Sequence, residues 1–334
     1  MYPKVIAELE RISGLIGGEI ASIIDRITCK DNALKKRIAF SAGDIGFKLR
    51  PYLVIKGAAI GDVSESIAIP FAAGVELLQL STLVIDDILD DSAKRNNADS
   101  CVKKYGIKES ILIGEYLHNL SIKHILSLCN IASIEKLINI IGLLSDSYQA
   151  ITVGQFYDLQ TSSLAKPLQE TEALDLINLT TGIFIKNSLL IGAVLGDMQK
   201  DIVKALSDYG YYLGVAYQLR DDIIDIIGEE IMTGKPMLID IKNKRYRIPI
   251  IFFLANGSSG QKKAFGKIIR KRNKTKRDKL ELINILKGSS AISYSIKKTS
   301  ELCEKAKHQI SSLPESEIKS ELLALPDIIA NFDN

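Results

Sequence analysis

The chain has no tryptophan, three histidines and eight prolines in 334 residues. Its four cysteines, Cys29, Cys101, Cys129 and Cys303, are widely scattered and form no CxxC pair. That spacing argues against a zinc site or a disulfide framework and suits a reducing cytoplasm, the expected location. His118, His124 and His308 lack metal-ligand spacing, and no GxSxG or HExxH occurs. "LIGGEI" (15–20) and "GSSGQKK" (257–263) contain glycine, yet neither is a phosphate loop. Net charge is scarce as well: a formal +3 is too small to argue for nucleic acid as a partner. The opening "MYPKVIAELERISG" lacks the basic flank and apolar core of a signal peptide.

Long apolar runs are nearly absent. The stretch "IAIPFAAGVELLQLSTLVI" (67–85) approaches membrane-span length, but Glu76, Gln79, Ser81 and Thr82 interrupt it and carboxylates end it. A span needs ~20 predominantly apolar residues, so a buried core helix is expected instead.

What the chain does have is helical periodicity. Apolar residues recur at three- and four-residue intervals in residues 3–27, 133–160 and 201–230, and sustained two-residue alternation is missing, so strands are not expected. Breaks rich in Gly, Pro, Ser or Asn fall near 61–66, 91–100, 161–170, 231–238 and 255–260; none has the length or bias of a domain linker. The expectation is all-α: one domain over 1–334, with about ten or more helices, several apolar on most faces and therefore central. The run "KKAFGKIIRKRNKTKRDK" (262–279) holds ten Lys or Arg. It reads either as a solvated helix and loop or as a peripheral contact for an anionic lipid surface.

Two carboxylate clusters carry the chemistry. In "STLVIDDILDDSAKR" (81–95), Asp86, Asp87, Asp90 and Asp91 follow an apolar stretch; in "QLRDDIID" (218–225), Asp221, Asp222 and Asp225 repeat the spacing. On a helix, acids four apart stack one above the other, and each like-charge pair costs ~0.2–0.5 kcal/mol. A solvated acidic helix end would be the simplest explanation of one such motif. Two motifs, each joined to a strongly apolar segment and together holding seven of 22 aspartates, weaken it. Clustered carboxylates without His or Cys suit a hard divalent cation, and Mg²⁺ commonly bridges carboxylates to phosphate oxygens.

With these motifs the chain resembles the trans-isoprenyl diphosphate synthases, in which two DDxxD motifs on opposing helices bind three Mg²⁺ and an allylic diphosphate. "GFKLRP" (46–51) is similar to the family's GGKRxRP, and "ELLQLSTLVIDDILD" (76–90) to its first aspartate-rich helix. "GQFYDL" (154–159), "YQLRDDIID" (217–225) and "TGKPMLIDIKNKRYRIP" (233–249) follow in the expected order. The resemblance implies the isoprenoid synthase fold, a bundle around a deep central cavity, and a homodimer. It implies Mg²⁺-dependent condensation of an allylic diphosphate with isopentenyl diphosphate (IPP). Carried over by position, Asp86, Asp90 and Asp221 would bind metal directly, with Asp87, Asp222 and Asp225 fixing waters and geometry around it. Arg95, Lys235 and Arg245 would hold the allylic diphosphate, Arg245 standing where lysine is usual, and Lys48 and Arg50 would hold the second diphosphate. Gln79, Gln155, Asp158, Thr181 and Gln218 would line the region around the substrates.

Several positions depart from the family pattern, chiefly around IPP. Phe47 stands where a phosphate-gripping lysine is usual, and Asn96 replaces the second of two consecutive arginines. Gln79 replaces a frequent histidine, and Thr180 a lysine that Lys186 could replace. Losing two charge-assisted phosphate contacts should weaken IPP binding. Two alternatives therefore stand beside the synthase: an enzyme that ionises an allylic diphosphate without IPP, terpene-cyclase-like or with another acceptor, and a partner subunit of a heteromeric synthase. Product length follows from helix geometry. Thr82 and Ser81 lie about one turn before Asp86, and Leu78 a turn further, so small side chains at 81 and 82 predict products of twenty carbons or more.

Overall fold

The computed structural model describes residues 2–28, 32–43, 48–96, 98–161, 167–228, 238–243, 245–271 and 274–332. Its elements are helices α1 (Tyr2–Asp25), α2 (Asn32–Ala42), α3 (Leu49–Ile60) and α4 (Glu65–Leu89), then α5 (Cys101–Leu126) and α6 (Ile134–Thr161). Helix α7 (Glu170–Ile177) passes through a π-turn (Asn178–Gly182) into α8 (Ile183–Leu195), followed by α9 (Lys200–Ile227). The remainder comprises α10 (Ile239–Lys242), α11 (Ile248–Asn256), α12 (Ser259–Ile269), α13 (Lys276–Gly288), α14 (Ala291–Gln309) and α15 (Glu317–Ala330). Strands were not expected, yet two of two residues each occur: Lys94–Arg95 pairs antiparallel with Ala98–Asp99. This ribbon is too short to leave a period in the sequence.

The helices form where apolar spacing and end residues agree. In α1, Val5, Leu9, Ile12, Ile16, Ile20 and Ile23 make one buried stripe, as the three- and four-residue intervals require. Capping stops the solvent-side helices: the Ser100 hydroxyl accepts from Lys103 N at 3.1 Å at the start of α5, and Thr275 and Asp278 form a capping box at α13. Predicted breaks at 61–66, 91–100 and 255–260 fall at junctions between helices; those at 161–170 and 231–238 lie half and almost wholly outside the described residues.

Helix α4, the apolar stretch of residues 67–85, sits centrally against α5, α3 and α1. Phe71, Leu77, Leu78 and Leu80 are buried. It and the α7–α8 segment are long and apolar enough to cross a bilayer, but 67% and 61% of their most apolar windows are buried inside the protein. Helices α3, α8 and α9 pack side by side behind α4. Between α3 and α8 the backbones touch at two glycines: a Cβ at Gly57 would lie 2.6 Å from Leu189 O, and one at Gly192 2.4 Å from Val54 O. No side chain fits there. One apolar core continues from Val5 in α1 to Ile329 in α15.

Candidate active site

The two aspartate motifs occupy the last turns of α4 and α9. Asp90 caps α4, donating its N–H to Asp86 O at 2.9 Å, and Asp91 turns into the left-handed region (φ 49°) to end the helix. In both motifs the second acid is the inward one: Asp87 is 3% and Asp222 2% exposed, while Asp86 is half-buried and Asp221 exposed. This follows from helix geometry, since adjacent residues point about 100° apart.

Cations from elsewhere in the chain answer the acids. Arg95, from the short ribbon, donates to both Asp87 oxygens (Nε to Oδ2 2.9 Å, Nη2 to Oδ1 2.8 Å) and to Asp86 Oδ2 at 3.2 Å. Arg245 pairs with Asp90 and, through Nε, with Asp158 Oδ2 at 3.0 Å. Arg247 clasps Asp158 with both terminal nitrogens, at 2.8 and 3.1 Å, and reaches Asp240 at 3.4 Å. Asp240 lies within electrostatic reach of both Asp90 and Asp222. The segment after α9 thus ties α4, α6 and α9 into one site.

Amides and a hydroxyl complete the links. Gln155 of α6 donates to Asp86 Oδ1 at 3.0 Å. Thr181 donates to Gln218 Oε1 at 2.7 Å, and Gln218 donates to Asp222 Oδ1 at 3.0 Å. Thr181 is presented by the π-turn, whose extra residue re-aims the side chains of this segment. Burial raises the Asp222 carboxyl to about 8, with Arg247 opposing. Burial and the neighbouring Asp86 raise Asp90 to about 6.

A second basic region lies beside the first. Lys48 is 9% exposed, and Arg50 lies 4.9 Å from the Phe184 ring centroid. Burial lowers the Arg50 pKa, while Tyr217, Glu76 and Asp221 nearby favour its charge. Glu76, 2% exposed, is pushed up by burial against the attraction of Lys48 and Arg50. The Gln79 side-chain oxygen, Oε1, is buried with no hydrogen-bond partner among the described residues. Asn96 holds φ 47°, a left-handed conformation that asparagine adopts more readily than most residues.

Of the residues singled out by sequence, the structure brings Asp86, Asp87, Asp90, Arg95, Gln155, Asp158, Arg245, Thr181, Gln218 and Asp222 into connected contacts, with Asp221 beside Arg50. Asp225 follows on the same turn, its backbone carbonyl accepting from Leu238 N at 2.9 Å. Lys235 and Phe47 lie outside the described residues. Sequence reasoning missed Glu76, Asp240 and Arg247. The first had a signal, an acid in the middle of an apolar helix; the other two lie within the quoted stretch 233–249, whose spacing does not tell which of its polar residues reach the site.

Do these side chains suit a divalent cation? The donors are all carboxylate oxygens, which favours a hard ion. Asp222 Oδ2 is buried with no hydrogen-bond partner among the described residues. Within the same residues no three His, Cys, Asp or Glu converge closely enough to cage an ion by themselves. That arrangement fits Mg²⁺, which keeps waters and takes substrate oxygens as ligands instead of filling an all-protein cage.

Residues 32–286 match the family described as Polyprenyl synthetase. The chain belongs to the polyprenyl synthetase family. Among curated members, it is 29% identical over 276 residues to the short chain isoprenyl diphosphate synthase of Methanocaldococcus jannaschii, covering 82% of this chain and 81% of that one. The geranylgeranyl pyrophosphate synthetase of Pyrococcus horikoshii superposes with a TM-score of 0.88 at 25% identity, over 99% of both chains. The geranylgeranyl pyrophosphate synthase of Corynebacterium glutamicum, solved with isoprenyl diphosphate and magnesium, shares the fold. Its TM-score is 0.85 at 21% identity, over 96% of this chain and 99% of that one. Membership of the polyprenyl synthetase family makes this protein an enzyme of prenyl diphosphate synthesis, and the all-α architecture expected from the sequence is the family's own.

Proposed function

We propose that this protein condenses an allylic diphosphate with IPP to give an all-trans polyprenyl diphosphate of twenty carbons or more. The observation that carries the reading is the site in which Arg245 pairs with Asp90 and Asp158, while Arg247, held by Asp158, attracts Asp222 of the second motif. The names of the Pyrococcus and Corynebacterium proteins, both geranylgeranyl synthases, support the product class.

In this reading Asp86, Asp90 and Asp221 would hold Mg²⁺, three ions with diphosphate bound, while Asp87, Asp222 and Asp225 steady the ligands. Bound magnesium would neutralise the diphosphate and so make it a better leaving group. The chain's own groups do the remaining work. Arg95, Arg245 and Lys235 bind and orient the allylic diphosphate, Arg245 and Arg95 exchanging part of their carboxylate contacts for phosphate oxygens. Lys48 and Arg50 bind the IPP diphosphate, with Glu76 near enough to attract both. When the allylic carbon–oxygen bond breaks, the electron pair leaves on the diphosphate. The IPP double bond then attacks the allyl cation, and the released diphosphate takes up the proton whose loss restores the alkene. Thr181, Gln218 and Gln155 line the reacting region and restrict water.

The protein would act as one domain, since one core spans its helices. It would act as a homodimer that covers Ile107, Ile111 and Leu112 of α5, which are 43–65% exposed within six residues; exposed apolar patches mark contact surfaces. A reducing cytoplasm would suit its free Cys101, Cys129 and Cys303.

The test is incubation with Mg²⁺, allylic diphosphates and labelled IPP, followed by extraction and chain-length analysis. Labelled products of twenty or more carbons are expected, and none in EDTA. Ionised allylic products without label would establish the IPP-independent enzyme, which the lost cation at Asn96 favours. No reaction with any substrate would make the chain a partner subunit.

A further inference from the structure

Charge is distributed unevenly over this protein. Residues 262–279 hold ten cations and one acid, a net +9, so the rest of the chain, with 33 cations and 39 acids, carries −6. The one acid, Asp278, is buried and engaged by Lys271 and by the Thr275 backbone and hydroxyl. It does little to neutralise the surface.

The hairpin of α12 and α13 sorts these charges by face. In α12, Phe265 and Ile268 are buried, while Lys263, Lys267 and Arg270 are exposed. The spacing of those three, i, i+4 and i+7, puts them on one stripe. In α13, Leu282, Ile283 and Leu286 point inward, and Lys276 and Arg277 are exposed. Leu280 is 61% exposed; four residues after Lys276 and three after Arg277, it shares their outward face. An apolar side chain beside two exposed cations suits a bilayer interface, where headgroup charge and acyl chains lie within a few ångströms of each other. The same surface is poorly made for single-stranded nucleic acid, which stacks bases on exposed rings. Phe265, the sole aromatic residue of 262–281, is 3% exposed.

We propose that the outward face of α12 and α13 docks on an anionic lipid bilayer, with Leu280 inserted among the headgroups. Docking there would place a membrane beside an enzyme whose product is a long prenyl chain. That consequence rests on the proposed activity, whereas the docking itself does not.

Co-sedimentation of the full chain with sucrose-loaded vesicles tests it. Binding is expected to vesicles of 30% phosphatidylglycerol in phosphatidylcholine at 0.1 M salt, with release at 0.5 M. Each cation near such a surface contributes about fivefold, so Lys263→Gln/Lys267→Gln/Arg277→Gln should bind roughly 100-fold more weakly. Leu280→Ser should weaken binding without changing its salt dependence. Both variants should melt as the wild type does. Equal binding to pure phosphatidylcholine, an undiminished triple variant, or tighter binding to a duplex oligonucleotide than to the vesicles would overturn the proposal.

Discussion

Replacing Asp158 by asparagine tests the clasp that joins the two motifs. The Asp158 side chain is 3% exposed and receives contacts from two guanidinium groups, Arg245 and Arg247, at 2.8–3.1 Å. Asparagine keeps the shape but loses the charge, and its amide hydrogens face donors. Removing one partner of a buried pair costs ~3–5 kcal/mol. The lower end applies here, because the Arg247 side chain is 20% exposed and keeps Asp240, and Arg245 keeps Asp90. Unfolding entropy of ~2.1 cal/mol/K per residue gives about 0.7 kcal/mol/K for this chain, so ~3 kcal/mol lowers Tm by about 4 °C. The cost is a stranded cation, so Asp158→Asn/Arg247→Met should recover at least half of it. Activity should fall roughly 10- to 100-fold in both variants, because Arg245 loses the carboxylate that aims it. Scanning calorimetry and urea melts on the wild type, both single variants and the double variant supply the comparison. A single-mutant loss below ~1 kcal/mol, or a double mutant that merely sums the two singles, would show that the clasp carries no coupling.

Asp86→Ala and Asp221→Ala should each abolish turnover with the fold retained, and Asp86→Ala should cost about 1 kcal/mol of metal-free stability because Asp86 accepts from Arg95 and Gln155; turnover and urea melts check both. Ser81 is fully buried and faces Tyr148. Ser81→Phe should therefore shorten the product and cost ~1–3 kcal/mol through overpacking, while Thr82→Phe, at a half-buried position, should shorten it more gently; chromatography of extracted products decides. Asn96→Arg should lower the KM for IPP if the ordinary site is used. It should also cost ~1 kcal/mol for an arginine at φ 47°; a variant with neither effect would contradict both readings. Arg11, aided by Lys56, holds the Glu8 carboxyl down at about 2. Its folded pKa is depressed, so the stabilisation is full above about pH 4.5 and is lost as pH falls toward about 2. Acid melts of Glu8→Gln should be flatter across that window than those of the wild type.

Local regularities of the chain were enough to place the long helices and the two acid clusters. The stripe from Val5 to Ile23 and the apolar run before Asp86 are periodic within a few residues, and helix formation responds to that range. The repulsion among Asp86, Asp87 and Asp90 is equally local, so its need for a cation could be read without any fold. The answer to that repulsion could not. Arg247 and Asp158 are 89 residues apart, and their pairing depends on where α9 delivers the following loop. The π-turn at Thr181 leaves no periodic trace either, because α8 is buried on most faces and a one-residue shift therefore moves no visible stripe. Arg95 is a conspicuous cation in the sequence, but its inward turn onto Asp87 depends on a two-residue ribbon and the left-handed Asn96 beside it. Short-range spacing determined which groups needed partners, and only the packing of distant helices decided which partners they found, because charge pairing depends on distance in space and not along the chain.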